Sequence, residues 1–253
     1  YTCMIFLTGD THGFHDADKV FKLSARIPKI TDDKENYLII AGDFGCIWRY
    51  PERVHLKVNS NDLHTIEYIY EDAPFVTLFV DGNHENHKVL NELPVSKKWG
   101  GCVHQLTPYC YHLMRGEVFN IQGKTLLAMG GALSVDKDLR KENESWWPEE
   151  LICQSDYDNA MNNLAKYNNT VDYIVTHTCP TPVALELEKE LPPYDTGLWG
   201  QKKTDQSCQF LEDLRKQIQF KEWFFGHFHV ISDITYDNHE FHCMYNNIKG
   251  ITD

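Results

Sequence analysis

The stretch Phe6–Asp16, "FLTGDTHGFHD", is an apolar run that stops at a glycine and delivers Asp10 and His12 with a single residue between them. Alone it decides nothing, because an aspartate and a histidine beside a turn serve as caps and solvated groups as readily as ligands. Recurrence decides it. "CMIFLT" ends at "GDTHG", "NYLIIA" at "GDFG" and "FVTLFVD" at "GNHE"; farther on, "DYIVT" ends at "HTCPTP" and "EWFF" at "GHFH". Each run is rich in β-branched or aromatic residues and of strand rather than helix length, which predicts five buried strands. Each closes in Asp, Asn or His.

Between the first three runs lie "DADKVFKLSARI" and "PERVHLKVNSNDLHTIEYIYED", whose apolar residues recur at helical spacing and predict crossover helices. In alternating β and α of this kind the ligand crevice lies outside the carboxyl ends of the strands, where all five polar clusters fall. The first strand therefore stops where it does to present ligands to a shared crevice. From Val103 to Ser134 the pattern changes to antiparallel strands with a tight turn at Gly123 and Lys124, and "VISDITYDNHEFHCMY" predicts a second hairpin turning at Asp237 and Asn238. "EELICQSDYDNAMNNLAKY" and "TDQSCQFLEDLRKQIQ" are amphipathic helices for an outer layer. The expected α/β architecture is two mixed β-sheets packed face to face with helices outside. Without a linker or an internal repeat, residues 1–253 read as one domain.

The composition, 42% hydrophobic and 24% charged over 253 residues, is that of an ordinary globular chain with room for a substantial core. A net charge of −13 argues against wrapping long nucleic acid, although a local basic cluster or a metal site still attracts a phosphorylated ligand. No run approaches the ~18 apolar residues needed to cross a bilayer, so no membrane partner is expected and a cytoplasmic location is. The 8 cysteines include no CxxC pair and read as reduced, buried thiols. The sequons at Asn143 and Asn169 then read as chance matches. "GKT" at Gly123–Thr125 lacks the glycine spacing of a P-loop and sits in a predicted hairpin turn.

Asp10, His12, Asp43, Asn83, His177, His227 and His229 together offer imidazole, carboxylate and amide oxygen. That mix suits divalent Mn, Fe, Zn, Co or Ni and lacks the thiolates of a structural zinc site. The donors exceed one tetrahedral site and suit two ions sharing Asp43, an arrangement that clamps a phosphoryl group and lowers the pKa of a bound water. In order, "GDTHG", "GDFG", "GNHE", His177 and "GHFH" resemble the signature blocks of the calcineurin-like metallophosphoesterases, and they span residues 9 to 229.

The resemblance implies a four-layer α/β/β/α sandwich with a dinuclear metal site, and hydrolysis of phosphoesters by direct attack of metal-bound hydroxide. It assigns Asp10, His12, Asp43 and His229 to one ion, and Asp43, Asn83, His177 and His227 to the other. His84, beside Asn83, takes the place of the family's catalytic histidine, which contacts the phosphate and protonates or stabilises the leaving oxygen. Protein Ser/Thr phosphatases of the family carry "GDxVDRG" at the second block; here Asp43 is followed by "FGCIWRYPERVH", which counts against a phosphoprotein substrate.

Substrate contacts are open to several residues. Arg49 and Arg53 lie near the second block and are either inward-pointing or solvated. The loop "VDKDLRKENESWWPEE" follows a strand end and carries Arg140, a candidate phosphate clamp. Its paired Trp146 and Trp147 either stack on a base or seal the next helix. His87 is a candidate for the rim of the site or for a helix cap. His55, His64, His104, His112, His239 and His242 lie off the strand ends and read as surface or core histidines. The expected function is hydrolysis of a modest-sized phosphomonoester or phosphodiester. A nuclease acting on ends or short strands is the nearest rival, and a scaffold that has kept the fold without turnover is the other.

Overall fold

The computed structural model describes residues 4–27, 36–53, 57–190 and 205–251. Cys3 and His55 lie outside the described residues. The strands are β1 (Ile5–Thr8), β2 (Tyr37–Ala41), β3 (Val76–Val80), β4 (Val95–Lys98), β5 (Gly101–Thr107), β6 (Cys110–Leu113), β7 (Glu117–Ile121), β8 (Lys124–Met129), β9 (Tyr173–Thr176), β10 (Glu222–Phe225), β11 (Ser232–Tyr236), β12 (His239–Cys243) and β13 (Lys249–Ile251). The helices are α1 (Asp18–Ser24), α2 (Ser60–Tyr70), α3 (His87–Glu92), α4 (Gln154–Ala165), α5 (Thr181–Glu190) and, as α6 here, Gln206–Arg215.

The strands form a 7-stranded sheet in the order β13-β1-β2-β3-β6-β5-β4 and a 6-stranded sheet in the order β11-β12-β10-β9-β8-β7. At the centre of each, neighbours run parallel: β1 with β2, β2 with β3, β8 with β9 and β9 with β10. Side-chain alternation then assigns each residue to a layer. Leu7, Ile39 and Leu78 meet Leu126, Val175 and Phe224 in the core between the sheets. Phe6, Leu38 and Phe79 turn outward onto Val20, Ile66 and Leu90 of α1, α2 and α3. On the other side Leu127, Ile174 and Trp223 pack on Leu164, Val183 and Leu211 of α4, α5 and α6. Three buried clusters in this order make an α/β/β/α sandwich, and every central strand is buried on both faces.

Both expected hairpins form, β7–β8 and β11–β12, with Asp237 and Asn238 at positive φ in the second; the first turns at Gln122 and Gly123 rather than Gly123 and Lys124. β5 falls in the antiparallel stretch expected from Val103 onward, while β4 and β13, which no expectation covered, form the two edges of the 7-stranded sheet. The 7 described cysteines are free. Among the described residues no helix is long and apolar enough to cross a membrane. Phe224 lies fully buried between the sheets, so Phe224→Ala is expected to cost about 3–5 kcal/mol by chemical denaturation. A loss below about 1 kcal/mol would contradict a continuous core there.

Candidate metal centre

Five central strands end on the same side of the molecule, and the residue types at those ends are acceptors. β1 delivers Asp10 and His12, β2 Asp43, β3 Asn83 and His84, β9 His177, and β10 His227 and His229. The backbone turns sharply at each: Asp10, His12, Asp43, His227 and His229 all lie at positive φ, between 44° and 72°. Side chains larger than glycine rarely adopt that region, so the surrounding contacts must hold the loops there. The preceding glycines make the close approach possible. A Cβ on Gly42 would stand 2.1 Å from His177 Nδ1, and one on Gly226 would stand 2.4 Å from Asp10 Oδ2.

Ligand atoms of Asp10, His12, Asp43 and His229 lie within 4.8 Å of one another. His12 Nε2 is 3.1 Å from Asp43 Oδ2, and His177 Nε2 is 3.2 Å from Asp43 Oδ1 and 3.1 Å from Asn83 Oδ1. Donors placed about 2.0–2.2 Å from one ion stand roughly 3–3.5 Å from each other, so this spacing is that of a coordination sphere. Each imidazole is also turned correctly. Nδ1 of His177 donates to the Ala41 carbonyl at 2.9 Å, and Nδ1 of His12 lies 2.7 Å from Asp16 Oδ2, which leaves both Nε2 atoms facing inward. Such a donor set fits a divalent cation. His227 is fully drawn into the loop system, its amide donating to both oxygens of Asp10 at 3.0 and 3.1 Å.

Asp43 sits at the middle and is 2% exposed. Burial opposes its charge, yet His177, His84 and His12 hold its carboxyl well below the usual range. The amides of Asn83 and His84 add hydrogen bonds to Oδ1 at 2.8 and 2.9 Å. Asp10 behaves oppositely: burial, with Asp43 adding to it, pushes it up to about 7. Burial also disfavours charge on His12 and His177, but Asp43 outweighs it and pushes them to about 9 and about 10.

Over the cluster lies a cleft of about 430 Å³ lined by His12, His15, Asp16, Trp48, His84 and His229. Arg140, on the loop after β8, touches the lining residue His84, its guanidinium donating to Nε2 at 3.1 Å while it pairs with Asp136 at 2.8 Å. A larger cavity of about 640 Å³ opens beside α3 at Asp81, His104 and Arg115; the metal-type donors gather under the smaller one.

Two expected substrate contacts lie elsewhere. Arg49 is drawn to Asp62 at the start of α2, which binds its guanidinium at 2.6 Å and its amide at 2.7 Å, because that carboxylate is buried and needs donors. His87 opens α3 behind the site, 2% exposed and 3.8 Å from Asp81, while Asn86 caps the helix. Arg53 is exposed. Trp147 is buried at 1% with its ring 6.0 Å from that of Trp48, which leaves it no free face for a base. Of the remaining histidines, His104 and His112 are buried against each other, His242 pairs with Glu222 and Asp233, His239 stacks on Phe220 and His64 is exposed. Sequence reading missed Asp16, Trp48 and His15 in the cleft. Asp16 alone had a signal, four residues after His12.

Burial on Asp10, and Asp43 beside His12 and His177, favour the protonated forms of all three. Metal uptake must expel those protons, since Asp10 must ionise and His12 and His177 must be neutral to ligate. Manganese binding at pH 7 is therefore expected to release protons and to tighten as pH rises. Calorimetry in buffers of different ionisation enthalpy measures this, and uptake without proton release would contradict it. Asp43→Asn is expected to lose metal, and a native metal content in that variant would count against Asp43 as the shared ligand.

The model of the calcineurin-like phosphoesterase family matches residues 4–231. Among curated proteins the chain is 26% identical over 242 residues to a lariat debranching enzyme of Drosophila pseudoobscura pseudoobscura, and 26% identical over 238 residues to that of Drosophila melanogaster. Each alignment covers 89% of this chain but 42% of the relative, so the chain spans about two fifths of the length of these curated relatives. A Staphylococcus aureus structure assigned as a 5′-nucleotidase superposes with a TM-score of 0.51 at 13% identity, covering 98% of this chain and 50% of that one, which shows a shared fold. With a family match running over nearly the whole chain and the sandwich fold beneath it, the chain belongs to the calcineurin-like phosphoesterase family.

Proposed function

We propose that the chain is a metal-dependent phosphodiesterase that opens a nucleic-acid phosphodiester at a branch or an end. The observation that carries the hydrolase reading is the meeting of Arg140 and His84, 3.1 Å apart, at the mouth of a cluster of Asp and His donors. Asp10, His12, Asp43 and His229 would hold one ion, and Asp43, Asn83, His177 and His227 the second. Two divalent ions bound there would neutralise phosphoryl oxygens and supply a water of lowered pKa as nucleophile.

The chain's own groups do the rest. Arg140 donates to His84 in the free protein; a phosphate entering between them would accept from the guanidinium fork and leave His84 beside an ester oxygen. The hydrogen bond that the His84 backbone N–H donates to Asp43 Oδ1 fixes this residue, and burial, with Arg140 adding to it against the pull of Asp43, lowers its pKa. It is placed to hold or deliver the proton that the leaving oxygen needs. Trp48, its ring 5.9 Å from that of His84, gives the cleft a flat wall on which a base or sugar can rest.

The relatives support the choice of diester. They are named for debranching lariats, which means opening a phosphodiester at an RNA branch. The net charge of −13 favours engagement at one phosphodiester over tracking along a duplex. A small phosphorylated metabolite, within the modest-sized phosphoesters expected from the sequence, is the second reading, and the 430 Å³ cleft would hold one.

Manganese-loaded protein is expected to cleave a branched oligoribonucleotide or bis-p-nitrophenyl phosphate with a kcat/KM at least about tenfold above that for p-nitrophenyl phosphate, because Trp48 beside His84 offers the second esterified group a surface that a monoester would leave unused. Preference for the monoester would return the small-substrate reading. His84→Ala is expected to keep its metals and lose on the order of 10²–10⁴ in kcat. Full turnover in that variant would remove His84 from the mechanism.

A further inference from the structure

Asn83 differs from every other ligand proposed here in that only one end of its amide can bind a cation. The oxygen and nitrogen of a carboxamide have nearly the same size, so packing alone does not choose between them. In this structure Oδ1 faces His177 Nε2 at 3.1 Å, while Nδ2 donates to Ser134 Oγ at 3.3 Å. What makes Ser134 able to choose is its other partner. Ser134 gives its amide proton to Glu150 Oε1 and its hydroxyl proton to Glu150 Oε2, both at 2.6 Å. With that proton committed to a carboxylate, Ser134 Oγ presents only lone pairs to Asn83, and only the NH₂ end of the amide can face it.

Glu150 and Ser134 are each 0% exposed. A buried carboxylate without a directly paired cation is costly and adds nothing that an apolar side chain would not supply to packing. Its backbone is held rigidly. Arg115 donates to the carbonyls of Glu149, Glu150 and Leu151 at 3.0, 3.2 and 2.9 Å, and the same guanidinium clamps Asp81 at 2.5 and 2.9 Å. Asp81 lies two residues before Asn83, so one cation fixes both the loop that carries the ligand and the loop that orients it.

We propose that Ser134 and Glu150 are positioning residues that turn the Asn83 oxygen into the metal cluster and thereby set the affinity for the second ion. This rests on the two-ion reading above. It assigns a role to a serine and a glutamate that touch neither ion nor substrate.

The test is metal stoichiometry and low-temperature electron paramagnetic resonance of the 253-residue chain titrated with manganese. The native chain is expected to take two ions and show the signal of a coupled pair. Ser134→Ala and Glu150→Gln are expected to retain one ion at concentrations that saturate the native protein, to show an uncoupled signal, and to need at least about tenfold more manganese to regain the pair. Adding Asn83→Asp to Ser134→Ala is expected to restore the second ion, because a carboxylate has no wrong end. A folding defect would not be repaired by that change. Native second-ion affinity in Ser134→Ala, or no restoration in the double variant, would overturn the positioning role. Failure of the native chain itself to take a second ion would overturn the two-ion reading and this inference with it.

Discussion

The carboxylate of Asp43 is buried at the end of a central strand, where water cannot solvate it. Everything near it supplies what water would have supplied: amide protons from Asn83 and His84, and imidazoles from His12 and His177. Those groups come from both sheets, so the charge can be satisfied only if the sheets are stacked in register. His177 of one sheet donates to Ala41 of the other, and the His227 amide caps Asp10 across the same seam. The site is thus also a seam of the sandwich, and its positive-φ loops are held both by bonds within the 7-stranded sheet, such as Asp10 to Gly42 and His12 to Asp43, and by those that cross the seam.

Much of this was legible in the sequence because strand burial and strand ends leave opposite marks. Two-sided burial makes runs such as "NYLIIA" apolar throughout, and the abrupt change to "GDFG" fixes where the strand ends and what it presents. The repeated change located the donors that the structure brings together, Asp10, His12, Asp43 and His229 among them. Arg49 and His87, which the sequence left open between the site and elsewhere, turn away from it for one reason. Proximity along the chain to a ligand says nothing of the buried carboxylates, Asp62 and Asp81, that compete for a cation or an imidazole. Ser134 and Glu150 left no mark, since a serine after "GGAL" and a glutamate after "WWPE" acquire meaning only when the chain folds them against Asn83, 51 residues from Ser134.

The division of labour across the cleft follows from these positions. The strand ends are rigid and carry the donors, whose positions must hold to within about half an ångström of the ligating geometry. Arg140 and Trp48 ride on loops, which suits groups that select and grip a substrate. The strand ends carry the blocks by which the chain belongs to its family, whereas the loops that hold Arg140 and Trp48 lie outside those blocks.

The most direct test of the account is a crystal structure of manganese-soaked protein with anomalous scattering measured at the manganese edge. The account predicts two peaks about 3.5–4 Å apart, one among Asp10, His12, Asp43 and His229 and the other among Asp43, Asn83, His177 and His227, with the Asp43 carboxylate between them. A single peak, or two that do not share Asp43, would contradict it.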